Sequence, residues 1–321
     1  MKKITSLLCF LLILVLIPIL PSCQSSPKDD KITVLCTLFP QYDWVRSIVG
    51  DSDNIEVTLL IKNGTDPHSY QPTAADIMAI SNCDMIVYQG GEADTWVQEA
   101  IKRAKSSDIR KIALSELEGI TLRHISSSSH HHEEDEHEHS HGAFDEHLWL
   151  SLSNAAASVE RLADELCALD TENSALYKEN ALKYIAKLNQ LDTEYREAAQ
   201  NAHNPFVLFA DRFPFVYLLE DYGIDYAAAF EGCSADVDAG FDTVLSLIKE
   251  AESHKVSYIA VTESSDKALA TTVAASAKRD IEIIVMNSLQ SITEKQIESG
   301  TTYLSVMREN LGALKTAIGA N

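Results

Sequence analysis

Two histidines, far apart in the chain, stand in sequence contexts suited to binding a divalent transition metal. The first lies in Asn63-Gly64-Thr65-Asp66-Pro67-His68-Ser69-Tyr70-Gln71-Pro72-Thr73, where glycine and proline fix the turns and present His68 from a rigid loop. The second lies in Asp145-Glu146-His147-Leu148-Trp149-Leu150-Ser151. Neutral imidazole is a preferred donor to zinc and its neighbours, and an adjacent carboxylate can orient the ring through its other nitrogen. Either histidine alone also reads as an ordinary surface residue; the pair carries the argument. Between them runs a segment with six histidines in twelve residues: His130, His131, His132, His137, His139 and His141, interspersed with Glu133, Glu134, Asp135, Glu136 and Glu138. It holds no apolar residue, so it cannot pack and is expected to be a solvated loop. Imidazoles are mostly deprotonated at neutral pH, so weak, multiple metal binding is expected of it, with a solubilising insert as the alternative.

These residues need elements to hold them. From residue 31 the chain reads as strand then helix, repeatedly: strand 32–38, helix 42–49, strand 55–61, helix 74–80, strand 85–88, helix 96–104 and a fourth strand near 112–114. Such alternation predicts a parallel sheet covered by helices on both faces, with ligands at the carboxyl ends of the strands. Residues 153–167 and 171–202 then read as two helices without a strand between them, the second capped by Asp170 or Thr171. At the α-helical rise the second would span roughly 45 Å, a stiff connector. Alternation resumes after Pro205 and ends in one helix over about 296–317. The expected fold is α/β with two lobes, each a parallel sheet flanked by helices, joined by one long helix, with the binding cleft between lobes. The expected divisions are an N-terminal lobe at 31–168 carrying the histidine-rich loop 124–142, a connecting helix at 171–202 and a C-terminal lobe at 205–321.

A formal net charge of -22 over 321 residues argues against nucleic acid, which this surface would repel, and favours a cationic ligand. Residues 1–22 have the parts of an export signal: Lys2 and Lys3, an apolar run, then small residues. The run closes in Leu20-Pro21-Ser22-Cys23, which resembles the lipobox of bacterial lipoproteins and makes Cys23 the expected lipidation site; an uncleaved membrane anchor is the alternative. Residues 23–30 then form a polar tether, and in either case the domain lies outside the cytoplasm. Cys36, Cys83, Cys167 and Cys233 form no CxxC pair. A Cys36–Cys83 bridge is conceivable, and buried free thiols are the simpler expectation.

Taken together, Asp66-Pro67-His68-Ser69-Tyr70, the acidic histidine-rich segment and Asp145-Glu146-His147-Leu148-Trp149-Leu150 resemble the zinc/manganese solute-binding proteins of ABC importers, a family that includes cell-adhesion lipoproteins. The likeness covers nearly all of the chain beyond the tether. It implies metal ligands at His68 and His147, Zn2+ as transported ligand with Mn2+ as the alternative, a permease and its ATPase as partners, attachment to the membrane by a lipid, and a monomer. Where many members have proline, this chain has Glu146. The C-terminal half departs further: the family's third ligand position is Ala210 here, and its fourth falls on Asn287. The second lobe must then use other groups, and Asp211, Glu231 and Glu263, each just past a strand-like run, are the candidates, with Asp211 and Glu263 leading; each also reads as a loop acid or helix cap. A manganese- or iron-specific binding protein, a storage or adhesion lipoprotein without a transporter, and a secreted zinc hydrolase are the other readings. The hydrolase needs an HExxH-type helix or a nucleophile with its base, and the sequence carries neither, nor a GxSxG or P-loop pattern.

The lipobox reading makes a direct prediction. Cys23→Ser should abolish incorporation of radiolabelled fatty acid; label retained in the variant would refute the anchor.

Overall fold

The computed structural model describes residues 31–104, 108–124, 144–231 and 240–320. The export signal, the tether, Cys23, the six clustered histidines and Cys233 lie outside the described residues. The first lobe runs β1 (Ile32–Cys36), α1 (Phe39–Val49), β2 (Ile55–Leu59), α2 (Ala74–Asn82), β3 (Met85–Tyr88), α3 (Thr95–Arg103) and β4 (Arg110–Ala113). Two helices follow, α4 (Leu152–Leu169) and α5 (Ser174–Gln200). The second lobe is β5 (Phe206–Phe213), α6 (Val216–Asp221), β6 (Asp225–Glu231), α7 (Phe241–Ser253), β7 (Tyr258–Thr262), α8 (Ala268–Ser276), β8 (Glu282–Met286), α9 (Glu294–Glu298) and α10 (Tyr303–Ile318).

Each lobe holds a four-stranded, wholly parallel sheet, ordered β2-β1-β3-β4 in the first and β6-β5-β7-β8 in the second. The two orders are the same when each lobe is counted from its own first strand, although no sequence repeat is visible between the halves. Strand order reverses beside β1 and again beside β5, and the crevice for a ligand lies beyond the carboxyl ends there. The outer face of each sheet has its own apolar core: Leu35, Ile86 and Val97 in one, Leu208, Ile259 and Val273 in the other. The inner faces share one core, in which Trp44, Tyr195, Phe209 and Tyr303 are all buried.

The connecting helix α5 lies along that shared core. It buries Tyr177, Ala181, Tyr184, Leu188, Leu191, Tyr195 and Ala198, spaced four and three residues apart, so one stripe of the helix faces inward for its whole length. Asp43 of α1 accepts hydrogen bonds from the Tyr184 hydroxyl and the Tyr303 amide, joining three helices at one carboxylate. Burial outweighs these donors and raises the Asp43 pKa above its ordinary range.

Several boundaries differ from expectation for local reasons. Neither Asp170 nor Thr171 caps α5: its N-cap is Asn173, and Asp170 instead accepts from the Asn173 amide and the Tyr177 hydroxyl. The last helix is two, because Gly300 at φ 92° turns the chain between α9 and α10, and Thr302 caps the second of them. Strand β5 runs on to Phe213, with a register shift between Phe209 and Arg212. Cys36 and Cys83 are buried free thiols, and burial raises the pKa of both. Among the described residues no helix is long and apolar enough to cross a membrane.

The turn after β3 shapes one wall of the crevice. Asp94, 4% exposed, accepts from the Gln89 and Gly90 amides and so closes the loop onto the start of α3. Burial, with Glu146 nearby, pushes its pKa up from 3.8 to about 6. A carboxyl with a raised folded-state pKa favours the fold below its unfolded pKa and loses that contribution as pH rises through the folded value. Asp94→Asn, which keeps an acceptor and does not titrate, should therefore gain stability relative to the parent between about pH 4 and 6, by up to roughly 3 kcal/mol. Urea unfolding of both proteins across that range checks it; a constant difference would show that Asp94 keeps an ordinary pKa.

Candidate metal centre

His68 belongs to a 3₁₀ turn, Pro67–Ser69, that follows β2. Asp66 caps the turn by accepting from the His68 amide at 2.9 Å, and Pro67 supplies the preset φ of the first position. His147 precedes a second 3₁₀ turn, Leu148–Leu150, which leads into α4. Asp145 accepts from both the His147 amide and its ring nitrogen Nδ1, at 2.9 and 2.8 Å. These two histidines, 79 residues apart in the chain, are brought together: their ring centroids lie 5.5 Å apart. His147 is 2% exposed and packs edge-on to Trp149, while the His68 side chain is 23% exposed.

The second lobe grips the His147 segment from behind. Tyr217 donates its hydroxyl to the Asp145 carbonyl, Tyr303 donates to the Trp149 carbonyl, and the Trp149 indole donates to the Ser288 carbonyl. The His68 loop is held from the front. Arg212 pairs with Asp66 at 2.9 Å and Lys62 with Glu294 at 3.0 Å. The Gln290 amide lies 3.4 Å from His68 Nε2. Beside these contacts opens a polar cavity of about 430 Å³ lined by Asp66, Asp211, Thr262, Ser264 and Gln290 among others.

Asp211 lines the second-lobe side of this cavity, Glu263 lies between two residues that do, Thr262 and Ser264, and both acids are engaged within their own lobe. The register shift in β5 places Asp211 inside the strand instead of past its end, where Asp211 accepts from the Thr262 amide at 2.9 Å and its hydroxyl at 2.6 Å. It thereby ties β5 to the end of β7. Glu263 does follow β7, and its two oxygens accept from the Ser288 amide and hydroxyl at 2.8 and 2.7 Å. Glu231 is the last residue of β6, its backbone paired with Phe213. Ala210 is buried in β5, and Asn287 is spent on Leu289 and Asn310. Among the described residues no three His, Cys, Asp or Glu side chains are grouped so as to hold a metal ion.

Sequence reading missed Gln290, a second-lobe group that reaches the His68 ring. Glutamine carries no metal signal in sequence, and the one clue was its place four residues past β8. It also missed Glu146, whose Oε1 accepts from the Ala93 amide at 3.0 Å while Oε2 stands 3.9 Å from His68 Nδ1. His124 and Phe144 pair as an isolated antiparallel bridge, and the Asp145 amide donates to the Arg123 carbonyl. His124 and Phe144, the described residues on either side of the histidine-rich stretch, thus lie side by side, Phe144 three residues before His147.

The arrangement offers two neighbouring imidazoles from the first lobe, each with a carboxylate on its Nδ1 side, and an amide of the second lobe facing one of them. That suits a cation with borderline-soft character. A zinc-binding lipoprotein, AdcA of Streptococcus pneumoniae, is 32% identical over 317 residues, covering 98% of this chain, which spans 61% of the relative's length. The high-affinity zinc uptake system protein ZnuA of Bacillus subtilis is 31% identical over 295 residues, covering 92% of this chain and 90% of that protein. The Zn(II)-bound ZnuA-like domain of the pneumococcal AdcA superimposes with a TM-score of 0.72 at 29% identity, over 90% of this chain and 99% of the domain. The family model described as ZnuA, zinc-uptake complex component A, periplasmic, matches residues 34–317, and on that extent of match the chain belongs to the ZnuA family.

Proposed function

We propose that this protein is the extracytoplasmic solute-binding component of an ABC-type zinc importer, a monomer that captures Zn2+ between its lobes and delivers it to a permease driven by an ATPase. The convergence of His68 and His147, each facing a carboxylate, carries this reading. Neutral imidazoles suit zinc, and the acidic surface, with its net charge of -22, gathers cations ahead of capture. Manganese, which prefers oxygen donors, is the less favoured cargo. The protein is a carrier, not a catalyst. Lipidation of Cys23 would hold it at the outer face of the membrane beside its transporter.

In the second lobe, Gln290, which reaches the His68 ring, would offer its amide oxygen to the ion. Asp211 or Glu263 would enter the coordination shell by giving up its hydrogen bonds to Thr262 or Ser288, a local rearrangement that metal capture itself could drive. The histidine-rich stretch, rooted beside His147, would collect additional zinc weakly, because a segment without apolar residues has no fixed geometry to offer.

Competition with a zinc-chelating dye tests the site: His68→Ala and His147→Ala should each weaken tight zinc binding by at least roughly tenfold. Unchanged affinity in both variants would remove the assignment.

Deleting residues 126–141 should lower the number of zinc ions bound per protein and leave the tightest dissociation constant nearly unchanged. Disappearance of the tight site on deletion would mean that the insert supplies a primary ligand.

A further inference from the structure

Glu146 is a costly residue in its place unless it has work there. Its side chain is only 13% exposed, and a carboxylate taken out of water needs partners. One oxygen has a fixed partner in the Ala93 amide. Room for that contact is made by Gly91, at φ 108°, where a Cβ would stand 2.4 Å from Oε1. Asp94 holds the Gly90 amide and so fixes the same turn. With Oε1 pinned, the carboxylate cannot swing to solvent, and Oε2 is left facing Nδ1 of His68 at 3.9 Å. That is about 1 Å beyond a hydrogen bond, a gap that a small rotation of the more exposed His68 ring closes.

The opposite edge of the same ring, Nε2, faces Gln290 of the second lobe. His68 is thus set between a carboxylate on its own lobe and a polar group across the cleft. A carboxylate accepts only, so the ring nitrogen beside it must carry the proton, and the lone pair is then forced onto the other nitrogen. Asp145 does this for His147, at 2.8 Å from Nδ1.

We propose that Glu146 is a positioning residue for metal capture: it keeps the proton of His68 on Nδ1 and aims Nε2 into the cleft, so that two consecutive acids each orient one imidazole of the pair. The proposal rests on His68 and His147 being the zinc ligands. It makes Asp145-Glu146-His147 a unit in which one ligand and the orienting groups of both ligands are adjacent in the chain. Glu146 also bridges the turn after β3 and the His68 loop, two segments that meet again where Tyr70 packs on Trp96 at 5.2 Å.

Glu146→Gln is the discriminating change. The amide can still accept from Ala93 through its oxygen, but it turns an NH₂ donor toward His68 Nδ1 and so demands the wrong tautomer. In full-length protein labelled with 15N-histidine, long-range 1H–15N spectra of the zinc-loaded parent should show His68 protonated at Nδ1 and bound through Nε2. In the variant that His68 signature should be lost, while His147 keeps its own and the unfolding temperature of the metal-free protein stays within a few degrees. Zinc affinity against a chelating dye should fall roughly 10- to 100-fold. If Glu146→Gln proves unstable, Gly91→Ala, which displaces the carboxylate, gives the same two readouts. Unchanged affinity and tautomer, coordination of His68 through Nδ1, or equal loss of both histidine signatures would each overturn the role of Glu146. A parent protein that binds no zinc tightly would instead overturn the underlying site assignment.

Discussion

The site depends on a short piece of irregular chain, Asp145 to Leu150, that lies between the lobes with its backbone out of water. Buried carbonyls must find donors, and here they come from the other lobe: Tyr217 for Asp145 and Tyr303 for Trp149. Trp149 returns the contact by donating to Ser288. Because each bond joins a first-lobe group to a second-lobe group, moving the lobes apart would strand polar atoms in an apolar setting, at about 1–3 kcal/mol each. The lobes are therefore held together at this point by the same segment that carries His147. The shared core, with Trp44 edge-on to Tyr303 at 5.2 Å, extends that hold.

On this fixed frame the two imidazoles differ in how firmly they are set. His147 is sealed against Trp149 and hydrogen-bonded to Asp145. His68 sits on a surface loop, steadied across the cleft by the Arg212–Asp66 and Lys62–Glu294 pairs. Those pairs are partly exposed, so each contributes little to stability. Their effect is geometric, since Asp66 is also the residue that caps the His68 turn. A guanidinium from the second lobe thus steadies the presentation of a first-lobe imidazole.

The second-lobe acids show how one residue type serves different ends. A carboxylate past a parallel strand is as well placed to staple loops as to bind an ion, and nothing in its immediate sequence separates the two. Asp211 and Glu263 are stapling groups in this structure, each holding a backbone amide and a hydroxyl of a neighbouring segment. The second-lobe group that meets His68 is the neutral Gln290, while the carboxylates on the Nδ1 sides of the two imidazoles, Asp145 and Glu146, come from the first lobe.

The two-lobe α/β architecture, the long connector and the pair of histidines were legible in the sequence because each rests on local rules. Strand and helix periods, proline and glycine turns, and an acid beside a histidine act within a few residues. Helix ends were read less well: Asp170 was spent on Tyr177 instead of capping α5, and Gly300 broke the last helix where periodicity continued across it. What sequence by itself determined was which residues are able to bind a metal and which class of fold would carry them. The tertiary structure alone decided that the rings of His68 and His147, 79 positions apart in the chain, come within 5.5 Å of each other, that a bulge in β5 turns Asp211 onto Thr262, and that Glu146 and Gln290 flank the His68 ring. Those outcomes depend on register, burial and competition among donors from distant segments, none of which a linear pattern contains.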